Sequence, residues 1–146
     1  ANLKKRLVKT PKIYVRDSGI LHALLEIDGR DSLLGHPGFG ASWEGFVIEN
    51  LTALMSRWKA SFYRTSNGAE VDLILERGRR RIAVEAKASA APDVKRGFWS
   101  ALEDLQIKEA WVAAPVTDAY PLAEGVRVAP VREIARELAS LTDAPA

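Results

Sequence analysis

A chain of 146 residues with 47% hydrophobic and 27% charged residues has the size and composition of one globular domain, which excludes disorder as its main state. It contains no cysteine, which excludes a disulfide scaffold, thiolate metal sites and a cysteine nucleophile, and no apolar run approaches the ~20 residues that span a bilayer. The net charge is only +2, yet residues 1–96 carry 17 Lys/Arg against 11 Asp/Glu while residues 97–146 carry 4 against 8.

Six basic residues (Lys4, Lys5, Arg6, Lys9, Lys12 and Arg16) precede the first acidic one, Asp17. Such asymmetry suits a polyanion near the first half, and equally a solvated face or an arm leading to another domain. Residues 1–10 read as a basic connector and residues 11–146 as the domain. With no signal peptide the expected location is cytoplasmic. The first residue is not Met, as in a piece of a longer chain.

In chain order, residues 12–15 read as a short strand. Asp17 is a plausible N-cap for a helix carrying Ile20, Leu21, Leu24 and Leu25. The Gly- and Pro-containing segment 35–40 reads as a loop. Ser42 then offers a cap to the clearest helix, with Trp43, Phe46, Val47, Leu51, Leu54, Met55 and Trp58 on one apolar stripe. Asn50 falls in that stripe as a satisfied polar core group. Residues 61–65 read as a strand ended by the turn Ser66-Asn67-Gly68. Val71, Leu73 and Leu75 alternate with Asp72 and Ile74, and after a Gly78 turn Ile82, Val84 and Ala86 alternate with Ala83, Glu85 and Lys87. Asp93 is placed to cap a helix bearing Val94, Phe98, Ala101, Leu102 and Leu105. Residues 110–114 and 126–129 read as further strands, and Pro130 opens a last helix. This order predicts an α/β domain whose central mixed β-sheet is flanked by α-helices.

The chemistry concentrates on the hairpin between residues 70 and 87. With Gly78-Arg79 as a type II′ loop, Arg77 faces Arg80, and the register carried outward sets Asp72 opposite Glu85 and Glu70 opposite Lys87. All four share one face, since Val71, Leu73, Leu75, Ile82, Val84 and Ala86 take the other. Two carboxylates opposed across a strand pair repel, and a divalent cation between them reverses that sign. Hard oxygen donors favour Mg²⁺ or Mn²⁺ over zinc. Lys87 is placed to orient water or to stabilise charge developing on phosphorus, and Glu44 offers a further carboxylate from the neighbouring helix. The alternative is an ordinary Glu70–Lys87 ion pair with Asp72 and Glu85 solvated. Arg77, Arg79, Arg80 and Arg81 form a basic run at the hairpin tip, expected to border the site and to contact phosphates.

Glu44 on a helix, Asp72 after a strand and turn, and Glu85-x-Lys87 on the next strand resemble the signature of PD-(D/E)XK nucleases. Four longer segments, PKIYVRDSGILHALL at 11–25, SWEGFVIENL at 42–51, FYRTSNGAEVDLIL at 62–75 and VEAKAS at 84–89, resemble the C-terminal domain of uncharacterised function in a prokaryotic AAA-type ATPase family. The resemblance covers about residues 11–141 and implies a restriction-endonuclease-like core. It implies Asp72 and Glu85 as ligands of Mg²⁺ or Mn²⁺, Glu44 as a carboxylate that completes the metal site, and Lys87 as the catalytic lysine. Glu70 has no set role in that pattern; an auxiliary ligand and a partner for Lys87 both fit. The implied partners are DNA or another nucleic acid and an upstream ATPase domain, with no membrane. A non-catalytic accessory or protein-interaction domain of that ATPase is the alternative function.

Other signals carry less. Gly35-x4-Gly40-Ala41-Ser42 imitates a phosphate-binding loop but lacks its lysine, so no ATP site is expected in this chain. His22, among leucines, reads as a packed or boundary residue. Trp99 reads as packing rather than as a base-stacking platform.

Overall fold

The computed structural model describes residues 7, 8 and 10–142, so Lys4, Lys5, Arg6 and Lys9 of the expected connector lie outside the described residues. Asp17 caps α1 (Ser18–Leu24), its Oδ1 accepting the Ile20 N–H at 2.9 Å. The apolar residues of α1 gain little burial: Ile20 and Leu24 are 58% and 73% exposed. A further short helix, α2 (Arg30–Gly35), buries nothing. The main helix, α3 (Phe39–Leu54), starts one turn earlier than expected. Ser42 is therefore inside it, and its Oγ bonds His22 Nε2 at 2.7 Å instead of capping. The inward stripe of α3 is narrower than expected. Val47, Leu51, Met55 and Trp58 are buried, but Phe46 and Leu54 are partly exposed. Asn50 is exposed and donates to the Phe46 carbonyl, so it is no core group.

Strands β1 (Lys59–Arg64), β2 (Glu70–Arg77) and β3 (Arg80–Ala86) form an antiparallel meander. Gly78 supplies the positive φ (59°) that the tight β2–β3 turn needs. α4 (Arg96–Leu105) follows, with Lys95 and not Asp93 at its N-cap. Then come β4 (Glu109–Ala113), β5 (Tyr120–Ala123), β6 (Val126–Ala129) and α5 (Val131–Thr142), the last starting after Pro130 as expected. β5 was not foreseen, and residues 12–15 form no strand. The six strands make one mixed sheet in the order β1-β2-β3-β4-β6-β5, with β3, β4 and β6 parallel.

Two apolar layers cover this sheet. On one face Leu73, Leu75, Ile82 and Val84 pack with Val47 and Leu51 of α3 and Ile134 and Leu138 of α5. On the other, Val71, Ile74, Ala83 and Val112 pack with Phe98, Ala101 and Leu102 of α4. This is the mixed α/β class expected, with one correction. Val71 lies in the layer opposite Leu73, whereas strict alternation put both on one face. Ser61 pairs with Ile74 and Tyr63 with Val71, so the single residue Phe62 faces two, Asp72 and Leu73. That β-bulge adds one residue to β2 and reverses the pleat at Asp72.

The start of α4 is pressed onto the β1–β2 turn. A Cβ on Gly97 would lie 2.2 Å from the Gly68 carbonyl oxygen, whereas one on Gly40, in α3, meets nothing within 4 Å. Gly97→Ala is therefore expected to lower stability by about 1–3 kcal/mol. Gly40→Ala should raise it by up to about 1 kcal/mol through lower unfolded-chain entropy. Denaturant titration of the two variants checks the opposite signs.

Candidate functional site

The β2–β3 ladder runs in the expected register from Arg77–Arg80 to Leu73–Val84. Beyond it the strands part, and Asp72 takes over the bonding of the backbone. Its Oδ2 accepts the Ala86 N–H at 3.1 Å. β3 continues along β4 instead, with the Lys87 N–H donating to the Ala113 carbonyl at 2.9 Å. Trp43 Nε1 donates to the same carbonyl at 3.1 Å, which sets the first turns of α3 over this end of the sheet. Glu44 follows Trp43 and reaches the gap.

Glu44, Glu70, Asp72, Glu85 and Lys87 thus line one pocket of about 270 Å³. Its other wall comes from Gly68, Lys95, Gly97 and Phe98, where α4 closes on the β1–β2 turn. Asp72 and Glu85 are only 9% and 8% exposed. Lys87 Nζ bonds Glu85 Oε1 at 2.7 Å. Glu85 Oε2 is buried with no hydrogen-bond partner. Burial, then the nearby charge of Asp72, pushes the Glu85 carboxyl up to about 7 against the pull of Lys87.

Sequence reasoning missed the group that ties three of these carboxylates together. Lys12 Nζ stands 2.7 Å from Asp72 Oδ1, 2.9 Å from Glu44 Oε1 and 3.2 Å from Glu70 Oε1. Burial opposes its charge, but the bonds to Asp72 and Glu44 outweigh that cost and hold its pKa above the ordinary lysine range. Tyr14 donates to Glu44 Oε1 at 2.6 Å, and burial together with that bond raises its phenol. Gly45 leaves the room that the Tyr14 ring fills, with the ring 3.4 Å from where a Cβ would stand. Lys12 and Tyr14 alternate with Ile13 and Val15, which point outward at 90% and 45% exposure. A polar-in, apolar-out order of this kind was the available signal, although Asp72 is 60 residues away from Lys12.

Two expectations about neighbours need correction. Glu70 does not pair with Lys87. Its Oε1 accepts from Arg64 Nε and Nη2 at 3.0 and 2.9 Å, and from Lys12. The β2–β3 ladder ends at Leu73–Val84, so no pairing aligns Glu70 with Lys87. The arginine run does not border the pocket either. Gly78 is six residues beyond Asp72, roughly 20 Å along an extended strand. Arg79, Arg80 and Arg81 line a different groove with Leu105, Gln106, Lys108 and Glu109. Arg80 is paired there with Glu109, and Arg81 with Glu76.

Fold and site together define a mixed α/β domain with an acidic pocket where two central strands part. The chain belongs to the family described as a domain of unknown function (DUF4143), whose model matches residues 39–134. It is 42% identical over 134 residues to two uncharacterized proteins, Mb2031c of Mycobacterium bovis and Rv2008c of Mycobacterium tuberculosis. The match covers 92% of this chain but 30% of each relative, so the chain spans just under a third of their length. No solved structure matches. Among the described residues no helix is long and apolar enough to cross a membrane.

The Glu85 environment gives stability a definite pH slope. The folded protein holds the Glu85 proton up to about pH 7, whereas an ordinary Glu releases it near 4.5. Between those values the folded state binds more protons than the unfolded state, so this contribution is complete below 4.5 and lost as pH rises toward 7. The loss is about 3 kcal/mol for the protein without added cations. Glu85→Gln, which needs no proton, is expected to flatten that slope in unfolding curves recorded between pH 4.5 and 7.5.

Proposed function

We propose that this domain holds a divalent cation at Asp72 and Glu85, with Glu44 assisting, and hydrolyses phosphodiester bonds of nucleic acid. In this reading the sheet is the restriction-endonuclease-like core that the Glu44, Asp72 and Glu85-x-Lys87 spacing resembles. One observation carries it: four side chains from α3, β2, β3 and the residue just after β3 reach a single pocket. The donor set suits Mg²⁺ or Mn²⁺, because every donor is a hard carboxylate oxygen. Glu85 Oε2, buried and unpartnered, is the oxygen with spare bonding capacity. As the side chains stand, with Lys12 among the carboxylates, no group of three or more His, Cys, Asp or Glu among the described residues is set to hold a metal ion.

The cation, when bound, supplies positive charge beside the phosphate and lowers the pKa of water. The remaining work falls to this chain's own groups. The Ala86 N–H fixes the orientation of Asp72. Lys87 is positioned by Glu85, and its ammonium orients the water whose oxygen forms the new bond to phosphorus as the bond to the leaving sugar oxygen breaks. Lys95, on the opposite wall, is placed to meet a backbone phosphate. DNA is the proposed substrate class, and the larger protein of which such a domain forms part is proposed to include an ATPase.

Exposed apolar side chains favour a second reading. Ile13, Ile20, Leu24 and Leu25 are 90%, 58%, 73% and 42% exposed, more than one small domain leaves open without reason. A non-catalytic interaction domain would use that surface, and the carboxylates with Lys12 would then be a structural ion cluster.

Incubation with single-stranded, double-stranded and branched DNA in Mg²⁺ or Mn²⁺ separates the two. Cleavage by the wild type that falls at least 100-fold in Lys87→Ala, with the thermal midpoint unchanged within a few degrees, supports hydrolysis. No cleavage, with wild type and variant alike in DNA binding, leaves the interaction reading standing.

A further inference from the structure

Residues 12–16 lie along α3 held by polar contacts. Lys12 bonds Glu44, Tyr14 bonds Glu44, and Arg16 bonds Glu49 at 2.6 Å, all three on the side facing the helix. The intervening Ile13 and Val15 are 90% and 45% exposed and line a groove with Leu21 and Leu25, so neither side chain is buried in the core. It forms no strand with the sheet; its nearest backbone anchors among the described residues are, before it, the Leu7–Thr65 bridge with the Val8 N–H bond to the Arg64 carbonyl and, after it, the Leu21 N–H bond to the Asp17 carbonyl. Its one ammonium sits among three carboxylates, and the pocket they line also holds the buried Glu85 Oε2, which has no hydrogen-bond partner.

We infer that residues 12–16 form a displaceable strap, and that Lys12 is an internal cation occupying the place a divalent ion takes when the strap lifts. This rests on the metal-site reading above and adds its regulation. An ammonium and a divalent cation compete for the same oxygens of Asp72 and Glu44, because a carboxylate cannot hold both at bonding distance without bringing two like charges together. Cation binding and strap closure then oppose each other by the same factor. The apparent metal affinity is the open-form affinity multiplied by the fraction of molecules in which the strap is open.

Calorimetric titration of the 146-residue chain with Mn²⁺, together with the electron paramagnetic resonance signal of free Mn²⁺, reads the effect without any substrate. Lys12→Met is expected to bind Mn²⁺ at least tenfold more tightly than wild type, and adding Glu85→Gln should reverse the gain. Equal affinities in wild type and Lys12→Met would overturn the strap while leaving the metal site intact. Absence of Mn²⁺ binding in every variant would overturn both. Should Lys12→Met not fold, Tyr14→Phe combined with Arg16→Ala loosens the strap and keeps Lys12. That variant should gain affinity in the same direction, and no gain would overturn the proposal. Acetylation of wild-type Lys12, followed by mass spectrometry, supplies an independent reading. Saturating Mn²⁺ should raise it severalfold relative to Lys108, and an unchanged Lys12 rate under binding conditions would count against the strap.

Discussion

Two carboxylates, each less than a tenth exposed, stand at the place where β2 and β3 part, and most of the surrounding structure answers to them. Carboxylates at this depth need bonds or counter-charges, because burial takes away most of their hydration. Asp72 takes a backbone N–H of β3 and an ammonium from the first residues of the chain. Glu85 takes one ammonium, from Lys87, on one oxygen only. A strand pair that continued its ladder would have spent the Ala86 N–H on a backbone carbonyl. The pocket exists because it does not.

The bulge is what opens that gap without unravelling the core. One extra residue in β2 turns Val71 toward α4 and leaves Leu73 facing α3 and α5. Both apolar layers stay filled on either side of Asp72, so the cost of burying the acid is confined to one position. The helices then bring their parts to the same end of the sheet. α3 is tied there by Trp43 on the Ala113 carbonyl, and α4 by the contact of Gly97 with the β1–β2 turn. Rigid elements hold the wall of the pocket, and the strap carrying Lys12 is the part held by polar contacts.

Much of this was legible from local chemistry. Gly78 is the residue able to take the positive φ of a two-residue turn, so the β2–β3 register followed from it, and with it the convergence of Asp72 and Glu85. Asp17 capped α1 because its side chain needs only the N–H three residues on. The bulge was not legible, since period-two reading assumes an unbroken strand and Val71 looks like any inward valine. β5 is an exposed edge containing Pro121, without the alternation that marks a half-buried strand. The arginines were misplaced for a different reason. Nearness in sequence to Asp72 and Glu85 was read as nearness in space, but a hairpin has two ends and the arginines occupy the other one. Lys12 was hidden by distance along the chain.

The charges around the pocket close this picture. Four carboxylates (Glu44, Glu70, Asp72 and Glu85) face three ion-paired cations, Lys12, Arg64 and Lys87. Lys95 on the opposite wall adds a fourth cation, so the formal charges match in number, yet Glu85 Oε2 is buried without a partner. The Glu85 carboxyl is raised first by burial, which also leaves its Oε2 without a partner, and then by the charge of Asp72. In the exchange proposed above, a divalent ion in place of the single charge of Lys12 would bring one more positive charge toward Glu85 Oε2. A site built only as a structural ion cluster would leave that oxygen without a role, whereas the proposed exchange of a lysine for a doubly charged ion would give it a partner.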